Sequence, residues 1–132
     1  MLVTRETDYA IRTVMYIAKE GGRVANVTEV AAAMSIPKTF LAKIVQRLAK
    51  QKILVSIRGV NGGFRLANGP EDISLLSILE AIQGTAAINM CVAGRGSCGL
   101  SGTCAVHSVW VEMRKEVEQT LREQTVKGLL TS

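Results

Sequence analysis

Between Asn26 and Ala67 the hydrophobic period of this chain switches from helical to alternating, and few folds accept elements in that order. "NVTEVAAAM" places Val27, Val30, Ala31 and Met34 at helical spacing, with Asn26 and Glu29 three apart as a capping box. "SIP" interrupts: Ser35 is placed to cap the next helix and Pro37 suits its first turn. "PKTFLAKIVQRLAKQ" then shows Leu41, Ile44, Val45 and Leu48 as a buried stripe, with Lys38, Thr39, Ala42, Lys43, Gln46 and Arg47 opposite. Next the period drops to two. Ile53–Ile57 and Phe64–Ala67 read as strands, and Asn61-Gly62-Gly63 in "RGVNGG" supplies the positive φ that a hairpin needs. Two short helices joined by a tight turn, the second basic on its outer face and followed by a hairpin, make a winged helix-turn-helix. An ordinary pair of core helices shares the stripe but not the basic hairpin. The pattern assigns Lys38, Thr39, Ala42 and Lys43 to base edges, and Arg58 and Arg65 to the phosphates or minor groove of double-stranded DNA.

The rest of the chain reads as helices. Residues 4–19 carry Ala10, Val14, Ile17 and Ala18 at helical spacing and stop at Gly21-Gly22. "NGPEDISLLSILEAIQG" turns and continues as a well-buried helix to Gly84. Residues 104–130 read as one long helix in which Val106, Trp110, Met113, Val117 and Leu121 form a seam. No other long helix remains in the chain to meet it, so the expectation is a homodimer that pairs this helix across a two-fold axis and reads a palindromic operator. The fold class is mostly α: a winged helix-turn-helix with a two-stranded β-wing and a long C-terminal dimerisation helix. Residues 1–70 form the DNA-reading domain, and residues 71–132 hold a cysteine loop and the dimerisation helix. Charge follows that division. Residues 1–70 carry 11 Lys/Arg against 4 Asp/Glu, and residues 71–132 carry 5 against 7. A basic front half is the electrostatic footprint of a nucleic-acid partner. No apolar run reaches the roughly 18 residues that span a bilayer. Arg5, Glu6 and Asp8 stand where a signal peptide is unbroken and apolar. A cytoplasmic protein with no membrane partner is expected. The sequence offers no phosphate-binding glycine loop and no Ser/His/Asp arrangement, so it does not read as an enzyme.

All three cysteines and the single histidine fall within 17 consecutive positions: Cys91, Cys98, Cys104 and His107. Three thiolates select zinc, cuprous copper or iron–sulfur clusters. Cys104 and His107 are three apart at a helix start and can share a face. On spacing alone, structural zinc in a Cys3His tetrahedron, an iron–sulfur cluster with one non-cysteine ligand, and free thiols in a loop stay open.

Taken together, "LVTRETDYAIR", "PKTFLAKIVQRLAKQ", "VSIRGVNGGFRLA" and the cysteine set resemble the Rrf-two family of bacterial winged-helix regulators, in the family's order and over nearly the whole chain. The resemblance implies dimeric DNA binding through wing and recognition helix, and an iron–sulfur cluster on the three cysteines. Cys104, His107 and Trp110 are similar to IscR-type members, in which such a histidine joins the cysteines on a 2Fe–2S cluster. "ETDYAIR" is similar to NsrR-type members, in which an Asp at the position of Asp8, from the partner subunit, completes a 4Fe–4S site with an Arg at the position of Arg12 beside it. The chain departs from the family in having six residues between Cys91 and Cys98, where five are commoner. The expected function is a transcriptional regulator gated by an iron–sulfur cluster that senses cluster status, redox state or nitric oxide. The alternatives are a structural-zinc DNA-binding regulator and a small iron–sulfur electron-transfer protein.

Overall fold

The computed structural model describes residues 3–84 and 105–132. Thr4 opens α1 (Arg5–Lys19) by accepting the Thr7 amide, and Ala10, Val14 and Ile17 turn inward. α2 (Val27–Met34) starts at the expected capping box: Asn26 Oδ1 accepts the Glu29 amide at 2.9 Å, and Glu29 Oε1 accepts the Asn26 amide at 3.0 Å. Ser35 corrects the reading of the turn. It ends α2 in the left-handed region, at φ 57° and ψ 46°, and does not cap the next helix. That reversal drops Ile36, 3% exposed, into the core. α3 (Lys38–Lys50) begins directly after Pro37 and buries Leu41, Ile44, Val45 and Leu48, as their spacing requires.

β1 (Leu54–Ile57) and β2 (Gly63–Leu66) pair antiparallel, with Val55 opposite Arg65. Positive φ falls at Gly59 (113°) and Gly63 (155°), not at Asn61 or Gly62 as the sequence suggested. The turn closes when the Gly62 amide donates to the Gly59 carbonyl at 3.0 Å, which puts the left-handed residue at its front. Gly63 answers a different need. A Cβ there would lie 2.3 Å from the Ala25 carbonyl oxygen. Ala25 and Phe64 exchange backbone hydrogen bonds at 2.9 and 2.7 Å, and so lock the wing to the segment ahead of α2.

A 3-10 turn (Pro70–Asp72) leads into α4 (Leu75–Gln83), which Ser74 caps and Gly84 ends. α5 (His107–Glu123) is shorter than the single helix expected over residues 104–130. The chain becomes extended at Gln124, where the Leu75 amide donates to its carbonyl at 2.9 Å and the Val126 amide donates to Ile73 at 2.8 Å. Thr125 then caps a short α6 (Val126–Leu130). Burial explains the break: Val126 is 0% exposed, and a continuous helix would carry it away from the core.

One core joins α1, α2, α3, β1, α4 and α6, running across residue 70. Each Leu or Ile fully buried there stabilises the fold by about 1.5–3 kcal/mol. α5 contributes no buried residue. Its Val117 and Leu121 pack beside Leu76 and Leu79 of α4, so two of the five seam positions find company within their own chain, contrary to expectation. Among the described residues no helix is long and apolar enough to cross a membrane.

Candidate functional site

The core stripe of α3 sends its remaining side chains outward. Lys38, Thr39, Lys43, Gln46 and Lys50 are exposed and Ala42 is half-buried. The 13 residues of α3 include no acidic side chain. Pro37 provides no side-chain acceptor for the first-turn amides, and such N–H groups suit phosphate oxygens. Arg47 is exposed off the buried stripe, as its spacing requires, and is engaged by neighbouring helices. Its guanidinium meets Glu6 of α1 at 3.1 Å and donates to the Ile82 carbonyl near the end of α4. Phe40 lies in the first turn with its ring exposed. The sequence reading passed over it, although helical spacing already put it off the buried stripe.

In the wing, Arg58 follows β1 directly and is exposed. Arg65 is exposed on β2, its guanidinium 3.3 Å from the Leu66 carbonyl oxygen. Val60 stands fully exposed at the tip. The base of this head is tied by charge. Arg23 forks onto Glu29 at 3.0 and 2.8 Å, and the Tyr16 hydroxyl donates to the same carboxylate at 3.1 Å. The Arg23 guanidinium, helped by the Asn26 amide, holds the Glu29 carboxyl down at about 2. Burial, and then the nearby Glu29, push the Tyr16 hydroxyl up. α1, the bridge at Ala25 and α2 are thereby held in one arrangement, which fixes how α3 and the wing stand to one another.

Cys91, Cys98 and Cys104 lie outside the described residues. The chain on either side is described. Before the segment, Gln83 Oε1 accepts the Thr7 hydroxyl at 2.6 Å and the Thr4 amide at 3.1 Å. After it, His107 opens α5, and its Nδ1 is buried with no hydrogen-bond partner among the described residues. An unsatisfied buried nitrogen costs about 1–3 kcal/mol, and an imidazole nitrogen so placed suits a metal. Asp8 differs. Its carboxylate meets Arg12 at 2.9 Å, both side chains are about half exposed, and the Arg12 guanidinium lies 5.7 Å from the centroid of the Tyr9 ring. Among the described residues no three His, Cys, Asp or Glu side chains converge as a metal site. On α5, Val106, Val109 and Met113 are exposed and Trp110 is half-buried.

A family model described as Rrf2, iron-dependent transcriptional regulator, matches residues 3–132. The HTH-type transcriptional regulator NsrR of Bacillus subtilis is 30% identical over 132 residues, covering 98% of this chain and 90% of its own. Among solved structures, T. potens IscR is similar with a TM-score of 0.78 at 22% identity, covering 98% of this chain and 85% of that one. CymR, the global cysteine regulator of B. subtilis, gives 0.77 at 20% identity, covering 98% and 95%. The two structures share the winged-helix fold described above.

Proposed function

This chain belongs to the Rrf2 family of helix-turn-helix transcriptional regulators, and on that premise we propose that its grip on DNA is gated by an iron–sulfur cluster held by Cys91, Cys98, Cys104 and His107. The observation that carries the cluster reading is the buried, unpartnered Nδ1 of His107, placed three residues after Cys104. A thiolate-rich donor set with one imidazole fits a soft iron site, and a family model described as iron-dependent supports iron over zinc. When bound, such a cluster supplies a centre whose charge and ligation change with redox state or with an attacking small molecule. His107 is preferred to the partner's Asp8 because Asp8 is already matched by Arg12.

The residues flanking the cysteine segment connect it to the reading head. Arg47 of the recognition helix is bonded to Ile82, and Gln83 to Thr4 and Thr7, two and one residues ahead of Gly84. A change in that segment therefore bears on α3 through the end of α4. On the DNA side, Lys38, Thr39, Ala42 and Lys43 face the base edges, and Arg58 and Arg65 bring the wing to the backbone or minor groove. The exposed Val106, Val109 and Met113, with the half-buried Trp110 beside them, pair with a second copy, and a palindromic operator follows from that two-fold symmetry.

Protein isolated without oxygen tests the proposal. Wild type is expected to be coloured, with a Mössbauer spectrum that His107→Ala alters and Asp8→Ala does not. Cys91→Ala should bleach the protein and change operator affinity. Colourless protein with stoichiometric zinc, or a Cys91→Ala variant with unchanged DNA binding, sinks the gating idea. Arg58→Ala should weaken binding to all sequences and lower the salt slope by about one.

A further inference from the structure

Six large apolar side chains are exposed among the described residues. Val106, Val109 and Met113 share the α5 strip, and Val3 lies ahead of α1. Val60 occupies a hairpin tip, where any side chain is exposed. Phe40 remains, 52% exposed in the first turn of α3, on the flank between the buried stripe and the basic face.

Its position is not forced by the core. The next residue, Leu41, is 0% exposed, and Leu41, Ile44, Val45 and Leu48 complete the inward stripe without it. Aromatic side chains are scarce in this chain, with one Trp, two Tyr and two Phe. Tyr9, Tyr16 and Phe64 pack against the core, so a freely exposed Phe ring is out of character here. Its setting is cationic. Lys38 precedes it, Lys43 lies one turn on, and α3 has no acidic residue. The matching surface is therefore anionic yet carries an apolar group within reach of a helix. A DNA major groove meets both conditions, because phosphates line its walls and the 5-methyl of thymine is the apolar group on its floor. Recognition helices reach base edges with their N-terminal residues, and Phe40 is in the first turn of α3.

We propose that Phe40 is a specificity-determining residue whose ring packs on the 5-methyl group of a thymine in the major groove of the operator. The inference rests on the DNA-binding reading above and adds to it a base preference at one position of each half-site.

The test uses full-length protein isolated without oxygen and an operator selected from random DNA. Each thymine is replaced in turn by deoxyuridine, which removes the methyl group and leaves base pairing intact. Wild type should lose about three- to fivefold in affinity at one thymine per half-site, the cost of one unburied methyl group. Phe40→Ala should bind the thymine and uracil duplexes equally and select operators degenerate at that position. Phe40→Leu should keep part of the discrimination. A wild type indifferent to every replacement overturns the proposal, as does a Phe40→Ala variant with undiminished sensitivity. A variant with changed oligomeric mass and unchanged DNA affinity also overturns it, and makes Phe40 a protein contact. The uracil series needs only the unaltered protein, so it stands even if a variant folds poorly. Failure to select any sequence defeats the DNA-binding reading and this proposal together, whereas a defined operator with no methyl effect defeats the proposal alone.

Discussion

α3 and α5 are both amphipathic helices, of 13 and 17 residues, and they end in opposite states. α3 buries four side chains in the shared core, against α1, α2, β1 and α4. α5 buries none, and its apolar residues divide between half-burial on α4 and open exposure. The difference teaches that an apolar stripe declares a face without declaring what covers it. In α3 the cover comes from the same chain, and the other side of the helix stays open for the proposed DNA contact. In α5 the chain covers one end, at Val117 and Leu121, and leaves the other to the proposed second copy.

Removing a side chain from the finished helix should have the largest effect. Leu41→Ala deletes a fully buried side chain and is expected to cost about 2–5 kcal/mol by urea unfolding. A cost below ~1 kcal/mol would mean that the head is not built on α3. Asn26→Ala opens the capping box beneath the same head and should cost about 1 kcal/mol.

Acid should weaken the head at Glu29. Its folded carboxyl titrates near 2, against an ordinary 4.5, so the stability it contributes is whole above about pH 4.5 and disappears as pH falls through 2. Thermal melts of wild type against Glu29→Gln between pH 5 and 2 should converge on acidification. A constant gap over that range removes Glu29 as the cause.

The smallest effect on the chain's own stability should come from the unfinished helix. Val109→Glu with Met113→Glu replaces two exposed side chains and should change single-chain stability by no more than about 0.5 kcal/mol. Sedimentation should nevertheless report monomer where the proposed dimer is expected of wild type. If mass is unchanged, α5 is not the dimer face and the contrast with α3 needs another cause.

Local chemistry made much of this legible in advance. The Asn26–Glu29 capping box, the α3 stripe and the two wing strands follow from side-chain spacing and hydrogen-bonding capacity within a few residues. What spacing did not show was long-range. Gly63 has the positive φ expected of it, but it is also required by Ala25, which lies 38 positions away. Arg47 is exposed as its spacing requires, but its partners Glu6 and Ile82 reach it from other helices. The continuous C-terminal helix broke at Gln124 because Ile73 and Leu75 capture its backbone and Val126 has a place in the core. The cysteine residues lie outside the described region, so of the expected ligands only His107 and Asp8 were placed.

Sequence alone determined the order of elements, the basic head and the clustering of Cys91, Cys98, Cys104 and His107, because spacing, charge and residue type are properties of neighbours along the chain. Only the tertiary structure decided which cations remain available to DNA, which glycine sets the turn and where the last helix stops. Those depend on which groups meet after the chain has closed, and a carbonyl such as that of Ile82 has no preference for Arg47 until packing brings them together.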